Sequence, residues 1–340
     1  MKKILKWGII GLGKASSQFI DSFETSEDHK IEIISSISKT KKFHDKKNLI
    51  NNISNSYSDV IKSKEVDIIY IGLPNNLHYE YSKLALQNGK HVLIEKPACT
   101  DADQFNEILE ISQKNNLKVF EGIYFRSHPN ILKIIELLKK NNFKNLKKIN
   151  SEFGNDALGG KKFFGIRFKK PKENNRLFSQ KLFGGAVWDT GCYPITFANI
   201  FFKKLNNEYL NHKNIIDKKS SIGSTGVDVE SELFLSQKNV EVTLKTSLIN
   251  NLKNSIQIDF LEGKVEISNL LNIGKSAFIK ININKENFEY KLDSNLDIIQ
   301  SFKNKILESI ENNYEDHFNF PLVNNFETLE NIKILEKWRN

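Results

Sequence analysis

The chain has 340 residues, 39% of them hydrophobic and 11% aromatic, enough apolar material for a globular protein of about two domains and too much for a disordered one. Its formal charge of +9 is carried almost entirely by lysine spread along the whole chain, with arginine only at 126, 167, 176 and 339; no dense basic patch forms, so nucleic acid is not expected as a partner. No stretch approaches the ~20 apolar residues of a membrane span, and Cys99 and Cys192 stand far apart without a second thiol at metal-ligand spacing, which predicts no metal site and a reducing, cytoplasmic setting.

The N-terminus superficially resembles a signal peptide, but Lys6 interrupts the apolar run and glycines fall where its core should continue, so the segment reads as mature protein. Residues 5–10 are a predicted strand that runs directly into Gly11-Leu12-Gly13-Lys14-Ala15-Ser16, followed by an amphipathic helix through Phe19, Ile20 and Phe23. This is the G-x-G-x-x-G/A arrangement with Ser16 in the last place. The two glycines let backbone approach a pyrophosphate, which then rests on the helix N-terminus, and the third position needs only a small residue for close packing. Gly11, Gly13, Lys14 and Ala15 are therefore candidate cofactor residues. The same motif taken alone is equally compatible with a tight structural turn.

Residues 31–37 form the next predicted strand, and Ser38-Lys39 follow it. An acid at this distance from the glycines holds the ribose 2′-hydroxyl of NAD, whereas a cation suits the 2′-phosphate of NADP; Ser38 and Lys39 thus favour NADP over NAD. The alternative is an exposed lysine-rich turn. Residues 66–73 are a buried strand ending in Pro74-Asn75-Asn76-Leu77-His78. Pro74, Asn75 and His78 are candidates to line the nicotinamide half of a crevice, while Asn75 or Asn76 could instead cap the helix that follows. Val92, Leu93 and Ile94 are a short strand buried on both faces, and it stops abruptly at Glu95-Lys96-Pro97. Parallel sheets bind ligands at the carboxyl ends of their strands. Glu95 and Lys96 accordingly stand at the mouth of the crevice, although an isolated pair of this kind reads more readily as a solvated charge pair. A helix over 101–115 and a strand over 118–121 complete a six-stranded, doubly wound parallel sheet of the Rossmann type, a dinucleotide-binding domain over residues 1–121.

Gly11-x-Gly13, Leu73-Pro74-Asn75-Asn76-x-His78, Gly89-Lys90-His91-Val92-x-x-Glu95-Lys96-Pro97 and Tyr124-x-Arg126-x-His128-Pro129 together resemble the glucose-fructose oxidoreductase, inositol dehydrogenase and rhizopine-catabolism family of NAD(P)-dependent oxidoreductases. The resemblance extends over nearly the whole chain. It implies that Lys96, the lysine of Glu-Lys-Pro, is a catalytic residue near nicotinamide and substrate. Ser16 is a small departure from the family's usual Gly or Ala.

The remainder, residues 122–340, is expected to be an α+β substrate-binding and oligomerisation domain on a large open, mostly antiparallel sheet. Period-two alternation supports this at Val227, Val229, Leu233, Leu235; at Val240, Val242, Leu244; at Ile256, Ile258, Phe260; and at Val265, Ile267, the mark of a sheet covered on one face. The resemblance implies that the open face makes a subunit contact in a homo-oligomer. Residues 292–312 and 326–338 read as helices, the second expected to pack back on the first domain, and residues 204–220 as a surface excursion.

Asn175-Arg176 and then Gly184-Gly185-Ala186-Val187-Trp188-Asp189-Thr190-Gly191-Cys192-Tyr193-Pro194 resemble the family's glycine-rich helix start with its Asp-x-Gly-x-Tyr pair, with Phe183 in place of the first of three common glycines. A spacing of four puts Asp189 and Tyr193 on one helical face, while Pro194 predicts a distorted turn. Without the resemblance, Asp189 reads as a helix cap and Tyr193 as a core aromatic.

Oxidising a carbinol releases a proton as the hydride leaves, so a base must reach the hydroxyl. A tyrosine near an ammonium is shifted toward phenolate. Tyr193 is therefore the expected proton acceptor, Lys96 its electrostatic partner and Asp189 an orienter of substrate hydroxyls, with the roles of Lys96 and Tyr193 exchangeable. Tyrosine where inositol-type members carry histidine resembles the sugar and dihydrodiol dehydrogenase branches, so the expected substrate is a sugar or sugar-like polyol, free or nucleotide-linked. Two other readings compete: a redox-neutral NAD-dependent glycosidase and a non-catalytic NADP-sensing protein.

Overall fold

In the computed structural model of the chain, residues 4–24, 26–37, 40–46, 48–140, 143–159, 162–163, 166–167, 170–268, 277–283, 286–292, 297–312 and 321–340 are described. They form two units, Met1–Ser127 with Asp297–Leu329 and His128–Leu296 with Glu330–Asn340.

In the first unit strands and helices alternate: β1 (Leu5–Ile10), α1 (Lys14–Asp21), β2 (His29–Ser35), β3 (Ile50–Ser54), α2 (Tyr57–Lys62), β4 (Ile68–Ile71), α3 (His78–Gln87), β5 (His91–Ile94), α4 (Ala102–Lys114) and β6 (Val119–Glu121). All the pairings are parallel, in the order β3-β2-β1-β4-β5-β6. Burial on both faces explains the unbroken apolar runs, for every residue of β4 is buried. The order reverses between β1 and β4, so the turns leaving these neighbours, Gly11 onward and Pro74 onward, diverge at a switch point where such sheets bind ligands. The expected six strands are present. The one the sequence pattern leaves unmarked is β3, because Asn51 and Asn52 interrupt its alternation.

Trp7, Phe19, Phe23, Tyr70 and Phe302 meet in the core of this unit, with Trp7 edge-on to Phe19 at 5.2 Å and Phe19 stacked on Tyr70 at 4.3 Å. Asp101 starts α4 by accepting the Gln104 N–H at 2.8 Å.

The second unit contains α5 (Pro129–Lys140), β7 (Leu146–Gly154), β8 (Lys162–Phe163), β9 (Ile166–Arg167), α6 (Ala186–Thr190), α7 (Cys192–Asn206), β10 (Ile215–Ile222), β11 (Asp228–Gln237), β12 (Val240–Ser247), β13 (Ser255–Phe260), β14 (Gly263–Ser268), β15 (Ala277–Ile283) and β16 (Glu286–Leu292). Its eight-stranded sheet runs β10-β11-β12-β7-β13-β14-β15-β16. Only β7 with β12 is parallel among these pairs, so the expected mostly antiparallel sheet is observed. The apolar helix α7 covers one face, packing on β7, β12 and β13.

Residues 215–220, the last part of the expected surface excursion, instead belong to the edge strand β10. Its mostly exposed polar side chains hide the strand pattern, and its lysines protect an open edge. Near the C-terminus, α8 (Ile298–Glu311) belongs to the first unit, and Asp297 caps it by accepting from the Ile299 and Gln300 amides. The last helix, α9 (Asn325–Arg339), begins in the first unit and ends in the second.

Candidate active site

The glycine turn of the first unit is built as its spacing predicts. Gly11 has φ +81°, and a Cβ there would lie 2.5 Å from the Gly72 carbonyl oxygen, so no other residue fits without moving β1 or β4. Ser16 is fully buried and donates its hydroxyl to the Gly11 carbonyl at 2.6 Å, closing the turn under α1. A side chain at Gly13 would meet no atom within 4 Å. Gly13 immediately precedes α1, and Lys14 and Ala15 beside it are exposed. These residues fit a pyrophosphate on size, charge and donor set.

The next two strand ends hold the other candidates of this unit. Pro74 precedes a short turn over Asn75–Leu77, and Asn75 is buried. His78 is fully buried, its Nδ1 2.8 Å from the Pro97 carbonyl and its Nε2 2.8 Å from the Leu73 carbonyl. It therefore ties the turn after β4 to the turn after β5.

That second turn is held on several sides. Glu95 is buried, and its Oε1 accepts the Tyr70 hydroxyl at 2.8 Å and the Tyr124 hydroxyl at 2.7 Å. Burial first, and the Glu95 charge second, push both phenols well above their ordinary value, so they act as donors. The Lys96–Pro97 peptide is cis. The Ala98 N–H donates to Glu121 Oε1 at 3.1 Å. Among residues 95–99 Lys96 alone is partly exposed. The upstream half of the motif serves the fold: Lys90 is buried, donates to the Ser63 and Val66 carbonyls at 2.6 and 2.7 Å, and its pKa is lowered by burial.

Ser38 and Lys39 lie outside the described residues. Tyr70 and Glu121 carry no motif in the sequence, and Tyr124 stands in the Tyr-x-Arg-x-His-Pro stretch without an assigned role. An acid at the end of the apolar run Val119-Phe120-Glu121 is the signal that could have flagged one of them.

In the second unit Gly185 has φ +119°, and a Cβ would lie 2.3 Å from Asp228 Oδ1. The close approach lets Asp228 Oδ2 accept the Val187 N–H at 2.7 Å, and its other oxygen pairs with Arg339 at 3.0 Å. Asp228 thereby fixes the start of α6, which carries Asp189. The expected distortion is a break between α6 and α7 at Gly191, where a Cβ would lie 2.5 Å from the Val187 carbonyl oxygen. Pro194 falls in the first turn of α7, where a missing N–H removes no intrahelical bond. Asp189 and Tyr193 flank this break. Asp189 is mostly buried and pairs with Arg176 at 3.1 Å. Tyr193 is partly buried with its ring 4.4 Å from that of Phe153. Phe183 is 41% exposed in a left-handed conformation, φ 50°.

Among the described residues no group of three or more His, Cys, Asp or Glu side chains could hold a metal ion, and no helix is long and apolar enough to cross a membrane.

Comparison with known proteins agrees with these features. Residues 5–123 match the model of an oxidoreductase family with an NAD-binding Rossmann fold. Trans-1,2-dihydrobenzene-1,2-diol dehydrogenase of Xenopus tropicalis is 29% identical over 267 residues, 77% of this chain and 74% of that protein. D-xylose 1-dehydrogenase (NADP(+)) of Hypocrea jecorina is 25% identical over 245 residues, 68% of this chain and 62% of that protein. Among solved structures, KijD10, a 3-ketoreductase from Actinomadura kijaniata in complex with NADP and TDP-benzene, shares the fold with a TM-score of 0.83 at 17% identity, covering 99% of this chain and 97% of that one. Residues 5–123 thus carry the NAD-binding Rossmann domain of this oxidoreductase family, and the separate open sheet that follows completes a two-domain fold shared with the solved structures.

Proposed function

We propose that this oxidoreductase transfers a hydride between NADP(H) and a carbinol or carbonyl carbon of a sugar or a sugar-like cyclic diol, free or nucleotide-linked. The observation that carries the reading is Lys96, the partly exposed residue of an otherwise buried turn at the carboxyl end of β5. The relatives named as diol and xylose dehydrogenases and the structural neighbour named as a ketoreductase support this substrate class.

Gly11, Gly13, Lys14 and Ala15 hold the pyrophosphate, Ser38 and Lys39 the 2′-phosphate, and Pro74, Asn75, Glu95 and Lys96 border the nicotinamide, with His78 bracing their turns. When bound, nicotinamide supplies or accepts the hydride. Tyr193 gives or takes the proton at the substrate oxygen, the Lys96 ammonium favours its phenolate, and Asp189, held by Arg176, orients neighbouring hydroxyls. The test is a dehydrogenase screen over aldoses, cyclitols, dihydrodiols and nucleotide sugars with NADP and NAD. Reduction of NADP by one of these classes is expected. Absence of cofactor reduction, and of NADPH oxidation with the corresponding ketones, would sink the reading.

The same proposal places a second copy of the chain on the open face of the eight-stranded sheet and the protein in the cytoplasm, where its buried free thiols Cys99 and Cys192 stay reduced. Lys219, Glu232, Lys245 and Glu152 lie side by side across β10, β11, β12 and β7. Such alternation of sign is self-complementary across a two-fold axis. A monomeric mass by light scattering would exclude the contact.

A further inference from the structure

Glu121 ends β6 directly opposite Ile94, the last residue of β5, and so stands beside the turn that carries Lys96. Its side chain is buried within the unit. One carboxylate oxygen accepts the Ala98 N–H at 3.1 Å, and the other accepts the Thr328 hydroxyl at 3.0 Å. A buried acid in a short strand costs stability unless its partners are in place. Here each oxygen is committed, one to the turn and one to the first residues of α9.

Resting on the reading of Lys96 as a catalytic residue beside nicotinamide and substrate, we propose that Glu121 is its positioning residue: the carboxylate fixes the Ala98 amide and with it the backbone that presents the Lys96 ammonium. The neighbours sharpen this assignment. Arg126, which follows β6, pairs with Glu327 of α9 at 2.6 Å and donates to the Pro321 carbonyl at 3.0 Å, so its charge is already matched. Burial, the largest influence, pushes the pKa of Glu121 up to about 7; the Ala98 and Thr328 hydrogen bonds and the Arg126 charge lower it, and the Glu327 charge raises it. Cys99, from the turn itself, also faces it; burial drives that thiol far up, and it stays neutral. Protonation converts one acceptor oxygen of Glu121 into a hydroxyl, and the carboxylate's hold on the Ala98 amide weakens. The turn is therefore expected to be in order above neutral pH and to loosen below it.

The experiment compares the parent, Glu121→Gln and Thr328→Val. In the parent, kcat falls as pH drops through about 7. Glu121→Gln removes that acid limb and lowers kcat on the order of 10-fold to 10²-fold, the scale of a small misplacement of a reacting group, with KM for NADPH little changed. Thr328→Val deletes a hydrogen bond to the charged form and moves the limb to higher pH; it leaves the carboxylate in place and serves where Glu121→Gln does not fold. A merely structural role would leave the pH profile unmoved in all three, and that result overturns the proposal. Hydrogen exchange of the Ala98 amide, read by NMR and corrected for its intrinsic rate, needs no turnover. Its protection is expected to drop in Glu121→Gln and, in the parent, below neutral pH. Equal protection throughout overturns the assignment, whereas an inactive parent whose Ala98 protection behaves as expected counts only against the proposed reaction.

Discussion

Tyr124 donates its hydroxyl to Glu95 Oε1 at 2.7 Å, the same oxygen that takes the Tyr70 hydroxyl at 2.8 Å. A buried carboxylate with two phenolic donors keeps its place as long as one remains, so Tyr124→Phe should cost about 1.5–3 kcal/mol, the usual range for a hydrogen bond to a charged group. Its ring contact with Phe302 at 5.1 Å would survive. The double variant Tyr70→Phe, Tyr124→Phe should cost more than the sum, because the second phenolic donor disappears with it. Urea unfolding at constant m measures this; simple additivity would show that Glu95 is held by something else.

For catalysis, Tyr193→Phe keeps the ring against Phe153 and removes the ionisable oxygen. NADPH binding should persist while kcat falls by ~10²–10⁴-fold. Lys96→Met should cause a similar loss, and the two together little more, since groups serving one proton transfer are not additive. Near-parental kcat in Tyr193→Phe, with chemistry rate-limiting, would remove Tyr193 from the reaction and leave Lys96 as the base.

Cofactor choice rests on Ser38-Lys39 where an NAD enzyme carries an acid. NADPH should bind more tightly than NADH, and Lys39→Asp should flatten or reverse the preference by adding repulsion to a lost partner. Fluorescence titration gives both affinities, and equality in the parent would refute the assignment.

Phe183 holds φ 50° and ψ 49° immediately before Gly184-Gly185. Left-handed backbone costs a non-glycine residue roughly 1–2 kcal/mol, and this side chain is substantially exposed, meeting Trp188 edge-on at 6.4 Å. Phe183→Gly should therefore raise stability by up to ~1 kcal/mol after the loss of that contact and the added freedom of glycine in the unfolded chain. Thermal unfolding decides the sign; a clear loss would mean that the ring's packing outweighs the backbone strain.

Lys303 of α8 is fully buried, donates to the Ser22 carbonyl at 2.9 Å and lies 3.6 Å from the Phe23 ring centroid. Burial lowers its pKa from 10.5 to about 7. Between those values the unfolded chain binds a proton that the folded one does not, so stability falls as pH drops from 10.5 toward 7 and then levels off. The largest slope from one such group is about 1.4 kcal/mol per pH unit. Lys303→Met should abolish this component in denaturant unfolding measured from neutral to alkaline pH, and identical slopes in both proteins would place the proton elsewhere.

How much was legible beforehand followed the range of the interactions. The glycine turn, the buried parallel strands and the alternating strands β11 to β14 are written in spacing of two, of four, or in single glycines, all local rules. The expected strands do not include β10 at one edge of the sheet, nor β15 and β16 at the other. An edge strand need not be apolar, so the composition of β10 resembles a loop.

The sequence by itself determined that a nucleotide-binding α/β domain precedes an open sheet, because periodicity and glycine placement depend only on neighbours along the chain. It also marked Glu95, Lys96, Asp189 and Tyr193 as candidates for the chemistry. Only the tertiary structure decided what holds them: Glu95 by Tyr70 and Tyr124, Asp189 by Arg176, and the Ala98 amide by Glu121 with Thr328 behind it. Glu121 and Thr328 are 207 positions apart, and no local pattern encodes such a pair. Strand order and the return of the C-terminal segment bring them together, and burial then makes each hydrogen bond obligatory, since a polar group removed from water must find its partner inside the fold.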